Sequence, residues 1–112
     1  LEMTAIDTFH MHLYFDASTR ASALAIREQL GAMTEFEVEL QPVRDAPIGP
    51  HPTPMFNSHV EPEHFAAAVR WLMINHGPHP VLIHPNTGDD VADHTQHALW
   101  LGAPQPLNLE KL

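Results

Sequence analysis

The sequence has 112 residues and no cysteine, and its 14 acidic and 5 basic residues give a formal charge of −9 when histidine is neutral. This length predicts one domain over residues 1–112, and the missing cysteine excludes disulfides and thiolate sites, which leaves His, Asp and Glu as strong metal ligands. The negative charge, together with the lack of a long apolar run or a signal peptide, disfavours nucleic acid and membranes as partners and predicts a cytoplasmic protein that binds a small molecule or a protein.

The first predicted element is a strand that begins at Phe9, in which apolar and polar residues alternate. Because side chains on a strand point to opposite faces with a period of two, His10, His12 and Tyr14 share the face opposite to the apolar residues. Two imidazoles on one face are able to bind one metal ion together. The alternative is a sheet face on which these histidines only make hydrogen bonds. The presence of ten histidines in the sequence favours the metal site.

A helix and a second strand are predicted next. We expect Ser18 to cap a helix that runs to about Leu30 and is followed by Gly31. Residues 36–40 then alternate, which predicts a strand with Glu37 and Glu39 on one face and apolar residues toward the core. The two glutamates are either solvated or, if this strand joins the histidine-bearing sheet, the nearest carboxylates to a metal ion.

Five prolines predict a stiff, extended loop over residues 42–54, which also carries Arg44 and His51. Long ordered loops are often functional, so we expect this loop to form one wall of a pocket. Residues 55–60 are predicted as a third strand. Alternation places Phe56 and Val60 toward the core, and the opposite face carries Met55, Asn57 and His59.

A second helix and a fourth strand complete the predicted sheet. Pro62 at a first helical position predicts a helix that ends near His76, and we expect both His64 and His76 to be ordinary surface residues. A short strand follows over residues 80–84. Its inward residues are Val81 and Ile83, and its outward residues are Leu82 and His84.

The order strand, helix, strand, strand, helix, strand predicts an α+β fold of the ferredoxin-like type. In this arrangement two helices cover one face of a four-stranded antiparallel sheet, and the first and third strands are central neighbours. Four histidines then project from the uncovered face, which is the strongest indication of a site in the sequence. We predict that the metal ligands are His10, His12, His59 and His84.

Residues 84–102 are predicted to begin as a turn and to continue as a short helix-like segment. His94 and His97 lie three residues apart, so they are neighbours on one side of a helical turn. They are ligands, acid/base groups or surface residues, and the acid/base role is favoured because the sheet already supplies enough ligands. We expect residues 103–112 to extend over the open face or onto a partner subunit.

Nearly the whole chain resembles the fungal-type DOPA 4,5-dioxygenase family. The resemblance implies a ferredoxin-like domain, often dimeric, and an extradiol dioxygenase that opens a catechol ring. It is carried by Phe9–Asp16, Gly49–Phe56, His84-Pro85-Asn86-Thr87-Gly88 and Asp93–Gly102. It supports a functional set of histidines without separating ligands from other roles, namely His10, His12, His51, His59, His84, His94 and His97.

The implied cofactor is non-haem Fe(II), held by histidines with open positions for a bidentate catecholate and O2. A nearby histidine can accept a catechol proton, because the unperturbed pKa of histidine is about 6.5. A carboxylate ligand is not identified, and an all-histidine site, which would also suit zinc, is equally open. The acid/base groups are predicted to be His51, His94, His97 and Tyr14, the substrate anchor Arg44, and the candidate carboxylates Asp16, Glu37, Glu39 and Asp93.

Two other functions remain open from the sequence. The first is a non-catalytic, dimeric α+β module that encloses a small ligand between open sheet faces. The second is a zinc-dependent hydrolytic or isomerising enzyme that uses the same histidines. A homodimer is expected because a bare sheet face would otherwise expose Tyr14, Met55 and Leu82.

Overall fold

The structure, a computed structural model, describes residues 8–112. Its elements are β1 (Phe9–Tyr14), α1 (Arg20–Gly31), β2 (Glu39–Leu40), β3 (Met55–Val60), α2 (Pro62–Asn75), β4 (Val81–Pro85), α3 (Asp90–Asp93) and β5 (Leu99–Leu101), and a final 3₁₀ turn spans Leu109–Lys111. All strand pairs are antiparallel, in the order β2-β3-β1-β4-β5. The predicted α+β fold, with the first and third strands as central neighbours, is confirmed.

The face of the sheet that α1 and α2 cover holds the main hydrophobic core. The central strands alternate as predicted, so Met11 of β1 and Ile83 of β4 point toward the helices and are each 1% exposed. Full burial of such a side chain contributes about 1.5–3 kcal/mol to the free energy of unfolding. The buried members of this core are Met11, Leu13, Phe15, Ala23, Ile26, Leu30, Phe36, Phe56, Val60, Ala68, Leu72, Val81 and Ile83.

The opposite face of the sheet is partly covered by the chain itself. Tyr14, Met55 and Leu82 are buried there, and the segment after α3 and the C-terminal tail pack against them through Ala98, Trp100 and Leu107. A hydrogen bond from the backbone N–H of Asn108 to the carbonyl oxygen of Pro50, 2.8 Å long, joins the tail to the proline loop. These three residues therefore need no partner subunit to bury them, contrary to the prediction, and the homodimer stays a prediction without that support.

The start of α1 differs from the predicted cap at Ser18. Thr19 is the N-cap residue and makes no side-chain cap hydrogen bond, and the helix begins at Arg20. The preceding turn is organised by Asp16, whose Oδ1 accepts hydrogen bonds from the backbone N–H groups of Ser18 and Thr19 at 2.9 and 3.0 Å. An aspartate that folds back on the next two or three residues stabilises such a turn, which takes Ser18 out of the cap position. The prediction that Gly31 follows the helix is also wrong, since Gly31 is its last residue.

The sheet has five strands rather than the predicted four. β5 pairs with β4 in the register Leu82 to Trp100, and α3 is only four residues long. A three-residue strand is too short to show a period of two, so β5 has no separate signal in the sequence. β2 is also shorter than predicted, although Phe36 is buried and Val38 and Leu40 pack against the core. Among the described helices, none has the length and apolar character needed to cross a membrane.

Candidate metal centre

Adjacent strands bring three histidines into one row on the face opposite to the helices. In the sheet register His10 of β1 lies between His59 of β3 and His84 of β4. The His10 and His59 rings stack with centroids 4.0 Å apart, and the His10 and His84 centroids are 5.1 Å apart. His12, two residues along β1, lies next to this row on the same face. Alternation along three strands thus concentrates four imidazoles in a small area.

Two overlapping groups have potential ligand atoms within 4.8 Å of one another. The first consists of His10, His12 and His84, and the second of His12, His51 and His94. His51 comes from the proline loop, where its backbone N–H donates to the carbonyl of Ile48, and His94 directly follows α3. We call these five residues the histidine cluster. Since His12 is common to both groups, it is the central residue of the cluster.

Hydrogen bonds to backbone carbonyls fix the tautomers of two cluster residues. Nδ1 of His84 lies 2.8 Å from the carbonyl oxygen of Pro85, and Nδ1 of His94 lies 2.7 Å from that of Asp90. A carbonyl oxygen only accepts, so each Nδ1 carries the proton and each neutral ring keeps its lone pair on Nε2. Both rings therefore present a nitrogen that is ready to bind a metal ion.

The separation of two ring nitrogens fits ligation of one ion. Nε2 of His12 and Nε2 of His84 are 3.1 Å apart. Two nitrogens at about 2.0–2.1 Å from an ion, at an angle of about 90–110°, would be about 2.8–3.4 Å apart. The donor set and this distance together fit a bound divalent transition metal.

Burial favours the neutral form of four histidines of the cluster, namely His10, His12, His51 and His84. Burial and, to a smaller extent, the neighbouring histidines together lower the pKa of His10 and of His51 to about 4. The pKa of His12, which is 4% exposed, is well below its usual value for the same reasons, and burial also lowers the pKa of His84. Because a metal binds the neutral imidazole, no proton competes strongly for these ligands near pH 7.

Tyr14 extends the cluster on the side of the second group. Its hydroxyl lies 2.7 Å from Nδ1 of His51, and its ring stacks against Trp100 with centroids 5.9 Å apart. Burial raises the pKa of Tyr14 above its usual value, so the hydroxyl keeps its proton. The pair joins a proton-bearing phenol to an imidazole at the edge of the proposed metal site.

Two predicted site histidines lie outside both groups. His59 stacks on His10, and its Nε2 accepts a hydrogen bond of 3.1 Å from the amide of Asn57. His97 pairs through Nδ1 with Oδ1 of Asp93 at 2.9 Å. Both rings are thus held by polar neighbours, and neither belongs to a potential ligand group found in residues 8–112.

The candidate carboxylates also lie outside the cluster. Asp93 is 2% exposed and accepts hydrogen bonds from the backbone N–H and the hydroxyl of Thr87, besides its contact with His97. Asp16 holds the turn before α1, and Glu37 and Glu39 are exposed. Within the described part of the chain, both ligand groups consist of histidine alone.

Arg44 lies beside the cluster in a groove with a volume of about 300 Å³. Its backbone pairs with that of Met55, which fixes the proline loop at the start of β3. His51, Asn57 and His59 also line this groove. The ion pairs of the described residues involve other side chains, so they do not occupy the Arg44 guanidinium.

Asn57 lies on the histidine face, as the alternation of β3 predicts, but no role was predicted for it. Its Oδ1 is buried and has no hydrogen-bond partner in the described part of the chain, and the same is true of Nδ1 of His12. The two residues are direct cross-strand partners. The alternation of β3 identified the face of Asn57, but only the three-dimensional contacts identify these two unpaired atoms.

Comparison with known proteins gives one family. Residues 9–111 match the Dopa 4,5-dioxygenase family. A DOPA 4,5-dioxygenase from Amanita muscaria is 32% identical over 114 residues, which cover 96% of this chain and 50% of that protein. An uncharacterized 21.2 kDa protein from Botryotinia fuckeliana is 39% identical over 111 residues, which cover 90% of this chain and 61% of that protein. The chain thus spans half or somewhat more of the length of these relatives.

A solved structure has the same fold. The crystal structure of a candidate dioxygenase from Nostoc punctiforme is 46% identical in sequence and has a TM-score of 0.93. The match covers 98% of this chain and 94% of that chain. The similarity therefore extends over the whole sheet and both main helices.

Proposed function

Because the chain belongs to the Dopa 4,5-dioxygenase family, we propose that it is an extradiol ring-cleaving dioxygenase that uses non-haem Fe(II) and O2 on an acid-bearing catechol. The observation that carries this proposal is the group of His10, His12 and His84, whose ligand atoms lie within 4.8 Å of one another. It offers neutral imidazole nitrogens, which are suitable ligands for iron. Fe(II) bound there would supply positions for both catechol oxygens and O2 and would lower the pKa of the catechol hydroxyls.

The remaining histidines of the cluster are assigned to proton transfer. His94 has its lone pair on Nε2, because its Nδ1 donates to the carbonyl of Asp90, so it is able to accept a proton from the catechol. When the hydroxyl of Tyr14 donates to Nδ1 of His51, that ring carries its own proton on Nε2 and is able to donate it. His97 lies outside the cluster, where its side chain is 43% exposed and is held by Asp93, and we assign it to exchange of protons with solvent.

Arg44 is assigned to the acidic group of the substrate. The protein has a formal charge of −9, so an acid-bearing catechol needs local positive charge in the groove. A guanidinium binds a carboxylate through two parallel hydrogen bonds, which orients the ligand as well as attracting it. Arg44 and His51 line the same groove, so a substrate held by Arg44 would lie beside the cluster.

The central test is anaerobic reconstitution with Fe(II), followed by measurement of oxygen uptake with DOPA, protocatechuate, caffeate and unsubstituted catechol. We expect one O2 consumed per catechol and a yellow ring-opened semialdehyde. Protein loaded with zinc is the matched control, since zinc suits the same imidazole ligands but has no redox chemistry. Iron at full occupancy without oxygen uptake on any of these catechols would contradict the proposal and would favour a binding module.

The role of Arg44 is tested with the same oxygen assay. Arg44→Gln removes the charge and the bidentate contact, so we expect kcat/KM for acid-bearing catechols to fall by about 10-fold or more. Unsubstituted catechol, which has no carboxylate, serves as the internal control and should be affected much less. An equal loss for both substrates would assign Arg44 to loop structure instead of substrate binding.

A further inference from the structure

We propose that Asn57 is the positioning residue that holds His12 in its metal-binding tautomer, by accepting a hydrogen bond from Nδ1 of His12 through Oδ1. The inference rests on the metal site proposed above. It assigns a function to a residue outside the histidine cluster, and it gives His59 a role other than that of a ligand.

The first step concerns the contact between His12 and His84. Nδ1 of His84 donates to the carbonyl of Pro85, so Nε2 of His84 has a lone pair. Nε2 of His12 lies 3.1 Å from this lone pair. Two lone pairs repel at this distance, so either a proton or a metal ion must lie between the two nitrogens. Without metal, Nε2 of His12 therefore carries the proton and donates it to His84.

The second step follows from metal binding. An ion that binds both Nε2 atoms needs both lone pairs. The neutral ring of His12 retains one proton, which must then move from Nε2 to Nδ1. Nδ1 of His12 is buried and has no partner within residues 8–112. The metal-binding tautomer thus creates a buried donor, and a buried N–H group without an acceptor is strongly unfavourable.

The third step identifies the acceptor. Three buried side-chain atoms of the described residues lack a hydrogen-bond partner, namely Nδ1 of His12, Oδ1 of Asn57 and Nε of Arg27. The first two belong to direct cross-strand partners on β1 and β3. Residues opposite each other in an antiparallel sheet have Cβ atoms about 4.5–5.5 Å apart, so the side chains of His12 and Asn57 lie within reach of each other and rotation is able to join the donor to the acceptor. One unpaired atom is an acceptor, and the other becomes a donor when metal binds.

The fourth step concerns the other side of the Asn57 amide. Its Nδ2 donates to Nε2 of His59 at 3.1 Å, which leaves Oδ1 available for His12. His59 is in turn stacked on the ring of His10. His59 therefore orients the amide of Asn57 through the nitrogen that it would otherwise use for metal. A metal-binding histidine usually donates its other N–H to such an acceptor, and loss of the acceptor weakens binding about 10–100-fold.

The test measures zinc affinity, because zinc reports on the ligands without redox chemistry. Asn57→Leu removes the acceptor at similar size, and we expect zinc to bind about 10–100-fold more weakly. Asn57→Asp keeps an acceptor, so its affinity should stay close to that of the wild type. Gln41→Leu is the matched control, because it removes another amide from the same groove without contacting His12, and its affinity should be unchanged. If Asn57→Leu does not fold, Asn57→Ala replaces it in the same titration.

A second readout separates positioning from packing. In protein labelled with ¹⁵N-histidine and loaded with zinc, we expect the His12 proton on Nδ1, in slow exchange with water, and faster exchange in Asn57→Leu. Stoichiometric zinc in the wild type with unchanged affinity in Asn57→Leu would overturn this inference and leave the metal site intact. An affinity of Asn57→Asp as weak as that of Asn57→Leu would also overturn it. Failure of the wild type to bind zinc or iron would overturn the metal site itself.

Discussion

The two faces of the sheet come from alternate residues of the same strands, yet one face buries apolar side chains and the other buries imidazole rings. In β4, Ile83 points to the helices and His84 to the cluster, and both are almost fully buried. The helix face gains stability from apolar contacts and needs no ligand. The histidine face buries polar rings, which is costly unless each nitrogen has a partner. The first face therefore stabilises the fold, and the second carries the proposed metal site.

Two buried histidines show the same difference at the level of single residues. His79 is 1% exposed, and its ring nitrogens have partners in the carbonyl of Tyr14 and the hydroxyl of Ser22. His12 is 4% exposed, but its Nδ1 has no partner among the described residues, and its Nε2 faces another imidazole. A buried histidine with two fixed partners is explained by structure alone. His12 is not, which is why the metal site is assigned around it.

The largest expected effect comes from His12, because it belongs to both ligand groups. His12→Ala removes one ligand from either group, so we expect metal binding to weaken by more than about 100-fold. The fold should persist, since the side chain lies away from the helix-covered core. Metal content and affinity measured beside circular dichroism check this. His64→Ala, on α2, is the control that keeps its metal, and full occupancy in His12→Ala would remove the basis for the proposed site.

The next largest effect distinguishes which of the two potential ligand groups on the histidine face holds the metal. If His10, His12 and His84 hold the metal, His94→Asn retains it and loses proton transfer, so turnover falls by about 10²–10⁴-fold. His97→Asn should lower turnover as well, with metal retained. Metal analysis and oxygen uptake are measured on the same samples. Loss of metal from His94→Asn, with metal kept in His84→Ala, would instead assign the ion to His12, His51 and His94.

How much of this structure the sequence predicts depends on how far apart along the chain the contacting residues lie. Alternation along β1, β3 and β4 identified the two faces, because it depends only on local geometry. It could not predict that the His59 ring stacks on His10, since the face of a strand does not determine a rotamer. The expectation that the tail extends over the open face is confirmed, but the contacts that hold it there, such as that of Asn108 with Pro50, and the pairing of β5 with β4 are encoded by no local pattern.

A smaller effect tests the helix face alone. Ile83→Val removes one buried methylene next to His84, and such a change lowers the free energy of unfolding by about 0.5–1.5 kcal/mol. We expect this loss in urea unfolding of the metal-free protein, with zinc affinity within about twofold of the wild type. Ile74→Val on α2, where the side chain is 84% exposed, is the matched control and should change neither quantity. A large loss of zinc affinity in Ile83→Val would show that the two faces are not independent.

The smallest expected effect concerns His79 and its dependence on pH. Burial lowers the pKa of His79, opposed by its hydrogen bond to Tyr14 and by Asp16, while His76 lowers it further. The unfolded chain then binds a proton at His79 more readily than the folded protein does, so the stability that His79 contributes is complete above pH 6.5 and declines as the pH falls below it.

At pH 7.5 we expect His79→Gln to be less stable than the wild type by about 1 kcal/mol, through its lost hydrogen bonds. This difference should shrink by up to about 1 kcal/mol at pH 5.5. Urea unfolding of both metal-free proteins at the two pH values gives the comparison, in which the titration of the other histidines cancels. A difference that stays constant between these pH values would show that the pKa of His79 is not lowered by folding.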